Sequence, residues 1–225
     1  MTALPVYWPS MPVWKPMQAT FRVQPISVKS VSPYTGAQKA IALAQVWMVE
    51  ATFNSRGFTD SFALQAFLES LDGPATPIRM FDWWRVKPQL MASAAAEPWS
   101  DGTYFSDGTG WGSFAIAPVA KYAYLRGAQV MVVKDLPASA AALLPGDLFQ
   151  VGDGLHVVTR QVTADAAGEA SVHFRPGLRA GVAANDGLTL FEPRGLFRMV
   201  SDPDVISRNA AHGEPFSLSF MEDVQ

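Results

Sequence analysis

The sequence predicts a mainly β protein, a sandwich or barrel with one amphipathic helix packed on its N-terminal sheet. Three observations lead there. Short runs of alternating apolar and polar residues recur along the chain, as in Phe216-Ser217-Leu218-Ser219-Phe220. Turn formers such as Pro145-Gly146-Asp147 and Gly152-Asp153-Gly154 separate such runs at intervals of roughly 8–12 residues. A single segment, residues 59–71, carries apolar side chains at helical spacing.

Composition supports a folded, partner-covered molecule. Of 225 residues, 49% are hydrophobic and only 16% charged, the reverse of a disordered chain. With 7 Trp and 14 Phe, this balance predicts that partners hide some of the apolar surface. A formal net charge of −3 points away from a nucleic-acid surface. There is no cysteine, which removes disulfides, thiol catalysis, iron–sulfur clusters and thiolate-bound zinc. The opening residues Met1-Thr2-Ala3-Leu4-Pro5 do not read as a signal peptide. The longest apolar stretch, residues 40–49, is interrupted by Gln45 and too short to cross a bilayer, so no membrane insertion is expected.

Four regions follow in order. Residues 1–18 form a proline- and aromatic-rich arm, with Pro5, Pro9, Pro12 and Pro16 interleaved with Tyr7, Trp8 and Trp14. Its rings need a surface, either on the same domain or on a neighbouring subunit. Residues 19–91 make an N-terminal β-rich region. There, Phe21 and Val23 share a face, while Ile26 and Val28 continue out of phase after Pro25, as at a bulge or an edge strand. After a turn at residues 32–36, residues 40–53 read as a central strand with Trp47, Val49, Ala51 and Phe53 on one face.

The helix at 59–71 can start on Thr59 or Asp60 and shows a stripe of Leu64, Phe67, Leu68 and Leu71. Asp72-Gly73-Pro74 ends it, with Gly73 suited to a left-handed cap. Residues 76–84 return as a strand. Residues 92–126 read as a loop insertion rich in Gly, Ala and Asp, in which Ser100-Asp101-Gly102-Thr103 is followed by Ser106-Asp107-Gly108-Thr109. Residues 127–225 form a C-terminal β region packed on the first, with strands at 129–134, 148–151, 155–162, 169–174, 188–191, 195–200 and 216–221.

The search for chemistry returns little. His156, His173 and His212 are far apart; the first two alternate with apolar neighbours in strands and are expected on one side of a sheet. No G-x-S-x-G, H-E-x-x-H or P-loop occurs. Asp101 and Asp107 sit in Asp-Gly turns without the closing carboxylate of a calcium loop. Glu50 and Asp60 carry no specific signal as a glycosidase pair. No cofactor, metal site or catalytic residue is expected. The residues singled out are aromatic interface candidates: Tyr7, Trp8, Trp14, Trp83, Trp84, Trp99 and Trp111. Arg85 and Lys87 beside the Trp83–Trp84 pair are suited to cation–π contacts.

Two runs carry a family resemblance. The first passes from Ser32-Pro33-Tyr34-Thr35-Gly36 through Val46-Trp47-Met48-Val49-Glu50 to the helix ending Leu71-Asp72-Gly73 and then Ile78-Arg79-Met80-Phe81-Asp82. The second joins Leu144-Pro145-Gly146-Asp147-Leu148-Phe149-Gln150-Val151-Gly152 to Phe174-Arg175-Pro176-Gly177-Leu178-Arg179 and Pro193-Arg194-Gly195-Leu196-Phe197-Arg198. Over most of 30–90 and 127–200 the chain resembles the distal tail proteins of long-tailed bacteriophages, a class of minor tail and baseplate proteins; residues 92–126 have no counterpart. The resemblance implies a non-enzymatic virion subunit at the tail tip, assembled in the host cytoplasm. It also implies a homo-oligomeric ring, usually a hexamer, that joins the tail tube protein to the baseplate hub. The motifs concern turns and packing, so they transfer no active site. The alternatives are a carbohydrate-binding β-sandwich for host-surface adhesion, using Trp99, Tyr104 and Trp111, and a hydrolase, for which no nucleophile or metal set is found.

Overall fold

The computed structural model describes residues 5–8, 15–31, 33–53, 58–90, 117–200 and 215–224. The protein is mainly β, with a single α-helix among the described residues. The chain forms two compact units. Unit 1 is Met1–Trp83 with Gly195–Gln225, and unit 2 is Trp84–Arg194. Unit 2 is thus inserted in the sequence of unit 1. The expected divisions at 91 and 126 give way to divisions at 83 and 194, and the last two strands of the expected C-terminal region belong to unit 1.

Unit 1 is built on one six-stranded sheet. In chain order its strands are β1 (Val6–Tyr7), β2 (Gln18–Val31), β3 (Gln38–Phe53), β4 (Ile78–Phe81), β12 (Arg194–Met199) and β13 (Phe216–Glu222), arranged β1-β4-β12-β13-β3-β2. The helix α1 (Phe58–Glu69) lies between β3 and β4 in sequence. The alternation of β3 places Trp47, Val49, Ala51 and Phe53 in the core, as its sequence requires. From β13 come Phe216, Leu218 and Phe220, and from α1 Leu64 and Leu68. After α1 the backbone turns left-handed at both Asp72 and Gly73, so the non-glycine Asp72 shares the role expected of Gly73 alone. The turn runs on into a short 3-10 helix, Gly73–Ala75.

Trp8 organises this core. Its ring is 1% exposed and lies within 5.5–6.2 Å of Phe53, Phe67, Trp83 and Phe220. Those partners come from β3, α1, the turn after β4, and β13. The proline-flanked strand β1 pairs in parallel with β4, its Val6 amide donating to Pro77 O, while the Trp8 amide donates to Arg79 O. The described part of the arm therefore packs on its own unit.

Unit 2 contains β5 (Val119–Ala120), β6 (Val130–Lys134), β7 (Ala141–Leu143), β8 (Leu148–Val151), β9 (Gly154–Val158), β10 (Val162–Thr163) and β11 (Ala170–Arg175). Five of these form an antiparallel sheet ordered β5-β6-β11-β9-β8, and β7 pairs with β10. Phe149, Val158, Val172 and Phe174 lie at its core. The segment expected as a strand at 188–191 takes another form. Gly187 bridges to Val119 on one edge strand, and Thr189 bridges to Gln150 on the other. One short segment thereby closes both edges of the sheet, as in a barrel.

Several smaller differences have local causes. The expected strand 155–162 stops at Val158 and resumes as β10, because β9 first turns from β8 and β10 then pairs with β7. Residues 117–126, assigned to the insertion, contribute β5 and the Tyr124–Val182 bridge. The remainder of that insertion, with its tandem repeat, lies outside the described residues.

Asp147 explains the turn at 144–147. Its buried carboxylate accepts from the Leu144 amide at 2.7 Å, the Gln89 amide at 3.0 Å and Gln89 Nε2 at 3.1 Å. Removing it leaves part-buried donors without their acceptor, so Asp147→Ala is expected to lower stability by about 1–3 kcal/mol in urea denaturation, whereas Asp153→Ala in the exposed turn changes it by less than about 0.5 kcal/mol.

Candidate assembly interface

The longest described strands of unit 1 are those of the β2–β3 hairpin. β2 is paired with β3 along its whole length, from Gln18↔Thr52 to Val31↔Gln38. On its other side β3 pairs with β13, but only from Phe53↔Phe216 to Met221↔Met48. Beyond Met48 the hairpin continues as a two-stranded ribbon among the described residues.

The point where the sheet narrows is marked by a substitution of side chain for backbone. The Trp47 amide donates to the Glu222 carboxylate, Oε2, at 2.9 Å in a buried setting. Glu222 thus provides an acceptor just past the last β13 partner of β3, at Met48. Backbone groups of successive strand residues point to opposite sides. With Trp47 directed towards β13, Val46, Met48, Glu50 and Thr52 face β2. Their partners Gln24, Arg22, Thr20 and Gln18 therefore face inward. Ala19, Val23 and Pro25 present their backbone to the outer edge. Pro25 has no N–H to offer, which interrupts that edge as a pairing template.

The register slips between Ile26 and Ser27, leaving Leu43 of β3 without a partner on β2. The irregularity expected at Pro25 is present, but the extra residue belongs to the opposite strand. Past it the ribbon is open to solvent: every described side chain from Gln24 to Val31 is exposed. These include Ile26, Val28 and Val31, and at the tip Tyr34 is 95% exposed. Met221 on the outer face of β13 is also exposed and lies opposite Met48. The charge pair Arg22–Glu50, at 3.0 Å, is exposed at both ends and contributes little.

The aromatic candidates separate. Trp8 and Trp83 are core residues of unit 1, which corrects their reading as surface contacts: the strand-and-turn geometry points both rings into one cluster. Tyr7 alternates outward and lies under the Arg79 guanidinium, 5.7 Å from its carbon. Trp84, in unit 2, is 47% exposed, as is Phe191. Trp14, Trp99, Tyr104 and Trp111 lie outside the described residues, as do Asp101, Asp107 and His212. Arg85 donates to the Gly146 carbonyl at 3.3 Å.

The histidines do not share a face. His156 is buried beside Phe174, whereas His173, one residue before Phe174 on β11, turns to the other side. Among the described residues no group of three or more His, Asp or Glu is placed to hold a metal ion. No helix there is long and apolar enough to cross a membrane.

If the Glu222 carboxylate ends the β13 ladder, Glu222→Ala leaves the Trp47 amide without this buried acceptor. A loss of about 1–3 kcal/mol is expected in urea denaturation, with a smaller loss for Glu222→Gln, which keeps an acceptor oxygen. Equal, negligible effects of both substitutions would refute that role. No protein-family model matches this chain, and no curated protein matches it significantly.

Proposed function

We propose that this chain is a non-catalytic structural subunit that assembles with copies of itself into a ring at the tip of a bacteriophage tail, between tail tube and baseplate hub. The observation that supports this reading is the β2–β3 ribbon. It outruns its own sheet, carries exposed aliphatic side chains, and ends in a fully exposed tyrosine. A two-stranded ribbon in water is marginal by itself. Addition of a strand or a surface from another subunit satisfies its backbone and covers its side chains.

A ring uses heterologous contacts, in which one surface of each copy meets a different surface of the next. The outer edge of β2 and the part of β3 beyond Met48 are two such different surfaces on one hairpin. The phage assignment rests on the sequence resemblance, with its turn, Trp-bearing strand, helix and following strand in order. In this reading the tail tube protein and the hub are the further partners, and assembly takes place in the host cytoplasm.

A glycan-binding role is the competing reading, supported by the exposed Trp84 and Phe191 on unit 2. Binding on a glycan array, lost in Trp84→Ala by a protein that stays monomeric, would favour it over assembly.

The test of the ring is direct. Negative-stain images and sedimentation, with the protein alone and mixed with the products of adjoining genes, are expected to give a symmetric annulus. The double variant Ile26→Asp, Val28→Asp alters only exposed side chains, so it should keep its fold and lose association by at least about tenfold, since each buried aliphatic group contributes on the order of 1 kcal/mol or more. A wild-type protein that stays monomeric in every mixture overturns the proposal.

A further inference from the structure

His156 lies on β9 inside unit 2, its ring forming a triangle with two others, 5.2 Å from Phe149 and 5.0 Å from Phe174, which are themselves 5.3 Å apart. Its Nδ1 is 2.9 Å from the carbonyl oxygen of Pro176. A carbonyl only accepts, so Nδ1 carries the proton and donates it. This fixes the neutral tautomer. The lone pair is left on Nε2, which is buried and has no hydrogen-bond partner among the described residues. Gly154 closes the space beside it: a Cβ there would stand 2.8 Å from Nε2 and 3.4 Å from Cγ of Arg179. The ring is thus tied on one side to segment 176–179 and walled on the other by the turn of its own hairpin.

We propose that His156 is an acid-sensitive latch: in its neutral form it holds the β8–β9 hairpin to segment 176–179, and protonation at Nε2 releases that hairpin while unit 1 stays folded. Protonation adds a charge and a second N–H where Phe149, Phe174 and Gly154 offer no acceptor. The packed elements supply no compensating anion at the ring. β8 (Leu148–Val151) has no charged residue. β11 carries His173, on its opposite face, and Arg175, whose guanidinium donates to the Phe174 carbonyl at 2.9 Å. Asp153 is exposed in the turn, and Arg179 of the facing segment opposes a second positive charge.

Burial above all, with Arg179 adding to it, draws the imidazole down from 6.5 to about 4 despite the bond to Pro176. The lowered value sets the sign. An open state with an ordinary histidine binds more protons, so the latch is at full strength above about pH 6.5 and weakens as pH falls towards 4. Between pH 7 and 5 the open fraction should rise about twentyfold. The described part of unit 1 contains no histidine, so it has no side chain that ordinarily titrates in that interval.

Hydrogen exchange of the full chain, followed peptide by peptide at pH 7, 6 and 5 and corrected for intrinsic rates, tests this. The expected result is an approximately twentyfold loss of protection at 148–158, with 47–53 and 216–221 unchanged. His156→Phe preserves a ring against Phe149 and Phe174 without a titrating proton and should remove the response, whereas His173→Gln should retain it. If His156→Phe does not fold, the side-chain NMR titration of the wild-type protein decides: a midpoint near 4 supports the latch and one near 6.5 overturns it. Protection that does not change with pH, an equal acid response in folded His156→Phe, or simultaneous loss in unit 1 would each overturn it as well.

Discussion

The unequal length of β13 and its neighbours is the constraint from which the surface of unit 1 follows. β3 needs partners on both sides to be an interior strand, and β13 provides one only as far as Met48. The next amide, that of Trp47, is met by the Glu222 side chain. A carboxylate can accept where a strand would, but it cannot propagate a ladder. Among the described residues everything beyond this point depends on the hairpin alone, and a hairpin has two faces and two edges with too little material to cover them. The aliphatic side chains of Ile26, Val28 and Val31 are consequently left in solvent.

Unit 2 faces the same problem and resolves it internally. Its sheet ends in short strands, β5 and β8, and the segment around Gly187 and Thr189 bridges both. Closure satisfies edge groups without a second molecule. The contrast bears on function because it separates a general property of β proteins from a local one. Open edges are not a consequence of this composition or of a failure to pack, since the same chain closes one sheet and leaves the other with a long terminal strand. Pro25 and the Leu43 irregularity limit how far that strand can template another, which favours a partner of defined register over open-ended aggregation.

What could be read from the sequence was local. The alternation of Trp47, Val49, Ala51 and Phe53 fixes one face of β3 because strand side chains repeat every two residues. The phase change after Pro25 correctly signals an edge strand with an irregular register. The stripe of Leu64 and Leu68 gives the helix. What escaped depended on distant pairing. β12 and β13 have ordinary strand patterns, and nothing in them states that they return to a sheet begun more than a hundred residues earlier. In the sequence Trp8 reads as a residue on an extended, proline-spaced arm with its surface left open; its burial follows from only two strand residues pairing with β4, too few to leave a periodic signal. For His156, the run Leu155-His156-Val157-Val158 permits either face inward, and the pairing of Phe149 with His156 beside Phe174 decides it.

The placement of Trp8 and Trp83 also changes the argument for assembly. A low charge fraction together with many aromatic residues first pointed to aromatic contacts between subunits. In unit 1 those two tryptophans are instead consumed by the interior, where one ring cluster links β1, β3, α1 and β13. Aromatic abundance is therefore partly accounted for by a core that joins several elements of unit 1. The surface still in need of cover is mainly aliphatic and lies along one ribbon, with Tyr34 at its end. Aliphatic side chains on an extended strand favour a partner that lies alongside over one that inserts into a pocket, because each contributes a modest area in a linear row. The proposed ring contact is thus a matter of strand beside strand, and the tryptophans act indirectly, by holding rigid the sheet from which the ribbon extends.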